Sequence, residues 1–539
     1  QKPFETINYS HASGYQKKRK MKRRDFLKRT GITIATAPIV LNSMKVRAIR
    51  NSLLMHAGPN NDKILVVIFL NGGNDGLNMV IPLDQYDNLA NVRSNIIIPE
   101  NKILNLTTTN GLHPAASGLK SIFDDGMLAI VQSVGYPNQN RSHFRSTDIY
   151  NSASAAEVYE DTGWLGRWMD LTYPGYPDNY PNTDTPDPIA ITMVSRIAET
   201  CQGTAINYSY SVEDPFDSGT LPVGALSPEP DSPYGDELKY IRQTIDQTNK
   251  YSAVVKQLAS AGTNTVTYPD TDLGQQLKNI ALLISGGCTT KVYYATIGGF
   301  DTHSEQVMDG DTTMGEHADL IKELSDAIYA FQTDMKNQGL SKKVLGMTYT
   351  EFGRRIRSNA SMGTDHGTAA PSFLFGECVQ PGFIGDNPVI SPNVSQSEGV
   401  PMQYDFRALY GTILNKWFEV PQGTVDDLLF ENFPTIPVVS PCDATASNEI
   451  YGTTLEADIT PNPFLNKTEV EFKTDLRAKV LIQVFDAMGS LVLHVSEDTY
   501  LPGTHRVGID ADDLPAGVYY CRVVMGSAQK TIRMVKADS

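Results

Sequence analysis

Residues 64–70, Ile-Leu-Val-Val-Ile-Phe-Leu, contain no polar position. Seven consecutive β-branched, aliphatic and aromatic residues make a strand, and a strand apolar on both faces belongs inside a sheet covered by helices. The run ends at Asn71-Gly72-Gly73-Asn74-Asp75-Gly76, a turn by composition. The same texture predicts strands over 127–134, 188–194, 291–297 and 343–350. Between them apolar residues return at helical spacing, most clearly over 316–336, where Leu320, Leu324, Ala327, Ile328 and Phe331 share a face. Alternating strands and helices predict an α/β fold, a sheet with helices on both faces.

Two more helical stretches, through Ile241 and Ile245 toward Leu258 and through Leu273, Leu277, Ile280 and Leu283, fit either a cap over a site or the outer layer of the sheet. Residues 171–187, rich in Pro, Tyr and Asp, read as an exposed loop. Beyond Pro441 the pattern changes. Residues 442–460 read as a linker, and 461–539 as a small all-β sandwich, with short strands over 468–472, 480–485, 491–495, 505–509, 518–525 and 530–535. The expected organisation is an N-terminal extension and signal over 1–48, an α/β domain over 60–441, the linker, and the sandwich.

Charge sharpens this division. The chain has 539 residues, 45 Lys plus Arg and 61 Asp plus Glu, a formal net charge of −16. That balance argues against nucleic-acid partners, which need a basic face. Residues 1–48 hold twelve Lys or Arg and two acids, which leaves 33 basic against 59 acidic residues, a net −26, for 49–539. The basic stretch 17–29, the uncharged run 30–44 and Val46-Arg47-Ala48 form a secretory signal. Met21 is the expected start of translation. The apolar run is too short for a bilayer, which needs about 20 residues, and no transmembrane segment is expected later. Within the signal, Lys22-Arg23-Arg24-Asp25-Phe26-Leu27-Lys28 resembles the twin-arginine motif, which implies bacterial export of a folded protein; an ordinary basic signal is the alternative. Cys201, Cys288, Cys378, Cys442 and Cys521 contain no CxxC pair and read as structural, with no pairing fixed by the odd count.

Candidate chemistry falls where core strands end, the position at which open α/β sheets place ligands. Four clusters qualify: 71–75; Asn140-Arg141-Ser142-His143-Phe144-Arg145; Gly298-Gly299-Phe300-Asp301-Thr302-His303; and Thr350-Glu351-Phe352-Gly353-Arg354-Arg355 with Gly363-Thr364-Asp365-His366-Gly367. Histidines beside carboxylates suit a divalent cation, with zinc, manganese, magnesium and calcium all open. Asp75, Asp301, His303, Glu351, Asp365 and His366 are the metal candidates, with Glu351 and His366 able to supply a second ion. Ser142, at an expected helix start, and His143 are catalytic candidates, and Arg145 or Arg354 could hold an anionic oxygen. Plainer roles stand beside these: Ser142 is an N-cap in either case, Asp75 could order its turn, Asp301 and His303 could cap one, and Glu351 with Arg354 could be an ion pair. His113 could be structural or near the site, and His317 an auxiliary ligand.

Two resemblances follow. Pro461-Asn462-Pro463-Phe464, Val484-Phe485-Asp486-Ala487-Met488-Gly489, Leu514-Pro515-Ala516-Gly517-Val518-Tyr519 and the basic last strand with Lys530 and Lys536 resemble the type A C-terminal sorting domain of the type IX secretion system of Bacteroidetes. This implies passage through the periplasm and outer membrane, with the tail removed and the product released or held at the cell surface. A carbohydrate-binding or adhesive module is the alternative.

Leu-Asn-Gly-Gly-Asn-Asp-Gly-Leu-Asn (70–78), Gly-Leu-His-Pro-Ala (111–115), Arg-Ser-His-Phe (141–144), Gly-Trp-Leu-Gly-Arg (163–167), Phe-Asp-Thr-His (300–303), Thr-Glu-Phe-Gly-Arg (350–354) and Gly-Thr-Asp-His-Gly (363–367) resemble the bacterial family known as domain of unknown function 1501, over about 60–435. Its relation to the alkaline phosphatase and sulfatase superfamily implies an alkaline phosphatase-like sheet, one or two divalent metals and a nucleophile at a helix start. That places Ser142 as nucleophile, Asp301 and His303 as a metal pair, and Glu351 and His366 near the other ligands. Asn71 stands where the superfamily has Asp, Glu351-Phe352 where it commonly has Asp-His, and no Cys-x-Pro-x-Arg sulfatase signature occurs. The resemblance implies a metal-dependent hydrolase of a small anionic ester, or of a sulfated or phosphorylated glycan. A non-catalytic surface protein that binds a glycan or protein partner is the alternative.

Overall fold

A computed structural model describes residues 61–217, 219, 221, 230–440, 455–474, 478–487, 489–500, 503–525 and 528–538. The expected signal and most of the expected linker lie outside them. The central sheet contains β1 (Ile64–Leu70), β2 (Leu128–Gly135), β3 (Ala190–Thr192), β4 (Ser209–Ser211), β5 (Val292–Ile297), β6 (Val344–Tyr349), β7 (Ala370–Phe375), β8 (Gly382–Ile384) and β9 (Tyr404–Asp405). Their order is β8-β2-β7-β6-β1-β5-β3-β4, with β9 also beside β2. β1 is parallel to β5 on one side and to β6 on the other, with Leu65 opposite Val292 and Ile64 opposite Val344. β7 runs antiparallel to both its neighbours.

Helices α1 (Ser117–Asp124), α2 (His143–Ser152), α3 (Trp164–Thr172), α4 (Pro233–Ala261), α5 (Asp272–Ser285), α6 (Glu316–Asn337) and α7 (Phe406–Thr412) cover the sheet. The period-2 alternation of β1 sorts its side chains into two cores. Ile64, Val66, Ile68 and Leu70 join apolar residues of α1, α4, α5 and α6. Leu65, Val67 and Phe69 join those of α2, α3 and α7. The polarity-free run therefore reports burial on both faces, as its composition requires.

Val255, Leu258, Leu277 and Ile280 lie in the first core, so α4 and α5 are outer layer rather than cap. The run 188–194 shortens to β3. Residues 171–187 form no strand, and only their first two belong to a helix, the end of α3; yet Tyr173 and Tyr180 are buried and Tyr176 stacks on Tyr208 at 4.6 Å, so the expectation of an exposed loop fails for the rings.

The C-terminal region forms two antiparallel sheets, Ala457–Thr460 with Lys467–Thr474 and Gly503–Asp510, and Leu491–Tyr500 with Ala478–Phe485, Gly517–Met525 and Ala528–Lys536. Val470, Phe472, Val480, Ile482, Val484, Cys521 and Val523 fill the space between them, making a sandwich. The first strand occupies positions expected to be linker, with Ala457 and Ile459 turned into the core. Lys536 is buried, and its Nζ donates to the carbonyls of Ala511 at 2.7 Å, Asp512 at 3.2 Å and Leu514 at 2.6 Å. Cys201, Cys288 and Cys521 are buried free thiols, whereas Cys378 is disulfide-bonded. Among the described residues no helix is long and apolar enough to cross a membrane.

Candidate metal centre

The parallel strands β1, β5 and β6 end on one edge, and the loops beyond them converge. Their approach is close enough to require glycine at Gly72, where φ is +124° and a Cβ would stand 2.4 Å from the Asp301 amide nitrogen. The Gly72 amide donates to Glu351 Oε1 at 2.9 Å, and the Asn74 amide to Thr350 Oγ1 at 3.1 Å. These bonds join the turn after β1 to the turn after β6. A hairpin of Arg354–Ser358 and Thr364–His366, with Arg354 opposite His366, folds back over them. The start of α2 supplies His143 from the other side.

Three imidazoles meet around Asp301. His366 Nε2 is 3.0 Å and His303 Nε2 3.2 Å from Asp301 Oδ1, while His143 Nε2 is 3.4 Å from Oδ2. His303 Nε2 and His366 Nε2 are 2.9 Å apart. One ligand atom each from His143, Asp301 and His366 lie within 4.8 Å of one another, a group that could hold a metal ion. Phe352, fully buried, lies beneath with ring centroids 4.9 Å from His143 and 4.6 Å from His366.

Each imidazole also meets an acceptor on its other nitrogen. His143 Nδ1 donates to Glu351 Oε1 at 2.8 Å, His303 Nδ1 to Asp365 Oδ1 at 3.2 Å, and His366 Nδ1 to the Arg141 carbonyl at 2.9 Å. A neutral imidazole whose Nδ1 carries the proton has its lone pair on Nε2. The three lone pairs therefore point toward one carboxylate, and His143 Nε2 is buried without a hydrogen-bond partner. Burial opposes ionisation of Asp301, but the hydrogen bond and the charge of Arg354 lower its pKa. The Glu351 bond is the largest influence on His143 and raises its pKa.

Several expected roles change. Asp75 is no ligand: it is buried, Arg93 NH1 contacts its oxygens at 2.8 and 3.1 Å, and Gln306 Nε2 donates at 2.7 Å. Arg145 turns away, pairing with Asp148 and the carbonyls of Ala155, Ala156 and Val158 and stacking 3.9 Å over Tyr159. Arg354 is buried and spent on protein acceptors, the carbonyls of Gly72, Gly73, Phe300 and Thr364 and Asp301 Oδ1, so it fixes Asp301 instead of holding substrate. Glu351 and Asp365 reach imidazole Nδ1 atoms, and among the described residues neither belongs to the group formed by His143, Asp301 and His366. Ser142 is exposed, and its hydroxyl does not cap α2, although it directly precedes His143.

His113 and His317 are both buried. His317 Nε2 donates to Asn74 Oδ1 at 2.9 Å, so it is a strut under the first turn rather than an auxiliary ligand. Sequence reasoning overlooked Arg141 as the acceptor for His366, and Arg93 and Gln306 as partners of Asp75. The Arg141-Ser-His motif offered a signal for the first; nothing local marked the other two.

Comparisons with known proteins come from three directions. No curated protein matches the chain in sequence. Weak structural likenesses include a sulfatase from Pseudoalteromonas sp. (8% identity, 87% of this chain and 88% of that one, TM-score 0.31) and a phosphonate monoester hydrolase from Silicibacter pomeroyi (10%, 88% and 88%, 0.27). A third is a sulfatase structure described with glycosaminoglycan metabolism by Bacteroides thetaiotaomicron (11%, 85% and 90%, 0.30). At these scores the likenesses add nothing to the geometry. Residues 458–537 match the secretion system C-terminal sorting domain, which indicates secretion or a cell-surface location and the secretion machinery as partner. Residues 259–429 match the family described as Protein of unknown function (DUF1501), a narrower span than the motifs predict but one that contains Asp301, His303, Glu351, Asp365 and His366. The chain thus contains one stretch similar to that family and, C-terminal to it, one similar to the secretion sorting domain.

Proposed function

We propose that the chain is a secreted, metal-dependent hydrolase of the alkaline phosphatase-like class acting on a phosphate or sulfate ester. One observation carries the reading: three imidazole lone pairs converge on the Asp301 carboxylate, each aimed by an acceptor behind it. Lone pairs facing a carboxylate repel unless a cation stands between them, and an acceptor on the remote imidazole nitrogen is the usual support of a metal-binding histidine. His143, His366 and Asp301 would hold the ion, with His303 beside them. Imidazole-rich ligation favours zinc over magnesium or calcium. Such an ion supplies a Lewis acid for an ester oxygen.

The chain's own groups would do the rest. Ser142, exposed and next to His143 in the chain, would attack phosphorus or sulfur through its hydroxyl as the ester oxygen leaves, and the first-turn amides of α2 would favour the anion. Arg354 keeps Asp301 ionised and oriented. Glu351, Asp365 and the Arg141 carbonyl keep the protons of the imidazoles on Nδ1.

His303 favours a second reading. Three ligands leave a coordination position open, whereas four around zinc close it, the habit of structural sites. With His303 bound the chain would be a non-catalytic surface protein presenting the same fold to a glycan or protein partner. Metal analysis of the secreted full chain, followed by a panel of phosphomonoesters, diesters and sulfate esters, tests both. Stoichiometric metal with hydrolysis lost in Ser142→Ala supports the enzyme. Absence of metal defeats it, and an unimpaired Ser142→Ala excludes covalent catalysis by that residue. Export is proposed to run through twin-arginine and type IX machinery by way of the periplasm; a form ending at Pro441 that still leaves the cell would contradict the role of the tail.

A further inference from the structure

One hydroxyl behind the metal centre joins two of its supports. Tyr136, the first residue after β2, is buried, with its ring edge-on to Tyr150 of α2 and Phe406 of α7 at centroid separations of 5.9 and 5.8 Å. Its Oη lies 2.8 Å from Ser146 Oγ and 3.0 Å from the Asn140 amide nitrogen. Proton counting fixes the direction of both bonds. The Asn140 amide can only donate, so Tyr136 Oη accepts from it. Ser146 Oγ has one proton and gives it to the Glu351 carbonyl, which can only accept. Tyr136 therefore donates to Ser146, a nearer acceptor than the Asn140 carbonyl at 3.4 Å. Burial pushes the phenol pKa up and keeps that proton in place. The chain runs from the Asn140 amide through Tyr136 Oη and Ser146 Oγ to the Glu351 carbonyl, with a donor meeting an acceptor at every step.

Both ends of this chain lead into the candidate site. At one end Asn140 Oδ1 accepts from the Ser142 amide at 2.8 Å and so fixes the turn that carries the Ser142 hydroxyl. At the other end the Glu351 carboxylate accepts from His143 Nδ1 at 2.8 Å. Ser142 and His143 are neighbours in sequence, yet separate partners hold them, and Tyr136 Oη is where the two sets of partners meet. Packing does not account for that hydroxyl. Phenylalanine would keep the ring contacts, whereas among the described residues Oη meets Asn140 and Ser146 alone.

We propose that Tyr136 is a positioning residue, whose hydroxyl holds the Ser142 turn and the Glu351–His143 pair in register, so that nucleophile and metal ligand are aligned as one unit. The Ser142 half rests on the hydrolase reading above; the His143 half needs only that the cluster binds an ion.

Tyr136→Phe keeps the ring and deletes the junction, and Ser146→Ala cuts the arm that leads to Glu351. Calorimetric zinc titration of the full chain should show affinity about tenfold lower in each variant, the loss expected when support behind a metal-binding histidine is removed. The double variant should lose little more than either single one, because both changes cut the same chain. At saturating zinc Tyr136→Phe should lower kcat by about tenfold with KM little changed, since a displaced Ser142 impairs attack and not binding. Ser146→Ala should lower kcat less, because the bond from the Asn140 amide to Tyr136 survives it. Wild-type zinc affinity in folded Tyr136→Phe, or losses that add in the double variant, would overturn the proposal. If Tyr136→Phe fails to fold, Ser146→Ala decides, and wild-type zinc affinity in it would overturn the proposal as well. A wild-type chain that holds zinc but hydrolyses none of the esters removes the hydrolase reading and leaves the zinc comparison to judge Tyr136. A wild-type chain without zinc removes both.

Discussion

Glu351 Oε1 lies 2.8 Å from His143 Nδ1 and 2.9 Å from the Gly72 amide nitrogen, so one buried carboxylate ties the end of the central strand to the first residue of α2. The bond selects the tautomer that leaves His143 Nε2 free. Glu351→Ala should weaken zinc binding by about 10–100-fold, the usual loss when an orienting partner is removed. Calorimetric zinc titration checks this against circular dichroism, which should be unchanged. Wild-type zinc affinity in the variant would deny Glu351 that role.

Arg93 and Asp75 form a fully buried ion pair at 2.8 Å, distant in role from ligand chemistry. Burial opposes the Asp75 charge, but Arg93 and His317 together with hydrogen bonds from Gln306 and Arg93 lower its pKa. Arg93→Ala strands a buried carboxylate and should cost about 3–5 kcal/mol in urea unfolding. Asp75→Asn should leave the metal content of the folded protein intact. Loss of metal from a folded Asp75→Asn chain would restore Asp75 as a ligand.

The buried histidines give the stability a pH dependence of known sign. Burial lowers His113 to about 3, with the His317 charge adding to the effect, and lowers His317 to about 4 against the opposing pull of Asp75. Both fall below the ordinary value of 6.5, so the unfolded chain takes up protons first as the pH drops. Stability should be fully present above about pH 6.5 and drain away toward pH 4, by on the order of 2 kcal/mol per histidine at pH 5. Urea midpoints at pH 7.5 and 5 for wild type, His113→Gln and His317→Gln measure it. Variants with the wild-type slope would rule these histidines out as its source.

Lys536 holds three carbonyls of one loop from inside the sandwich. Lys536→Met preserves length and apolar packing but leaves the carbonyls of Ala511, Asp512 and Leu514 without their donor. The cost should be about 2–4 kcal/mol. Differential scanning calorimetry of the full chain should show the transition containing the sandwich shifted downward, and an unshifted thermogram would show that water replaces the ammonium without loss.

The core was legible where burial leaves no freedom. Residues 64–70, 127–134, 291–297 and 343–350 contain strands because a centre strand covered on both faces excludes polar side chains almost throughout. One strand in from the edge of the sheet the pattern weakens, and only Ala190–Thr192 forms a strand within 188–194. Clusters at strand ends located Asp301, His303, Glu351 and His366 in one neighbourhood. Their division of labour was hidden, because ligand and orienting carboxylate are the same residue type and differ only in which imidazole nitrogen they meet. The arginines turn on parity. Along Arg354–Ser358 burial alternates, so Arg354 points inward and Arg355 outward, a choice that adjacent arginines in a sequence do not reveal.

The pairing of β1 with β5 and β6 also governs when the molecule can become itself. The first strand among the described residues finds one partner at Leu65 opposite Val292 and another at Ile64 opposite Val344, more than 220 residues later. During synthesis this apolar segment must therefore wait until more than 220 further residues have been made for the neighbours that satisfy its amides. Contacts of such sequence separation fold slowly and expose sticky intermediates. His143 waits in the same way for Asp301 and His366. Assembly of the His143, Asp301 and His366 cluster and completion of the sheet become one late event.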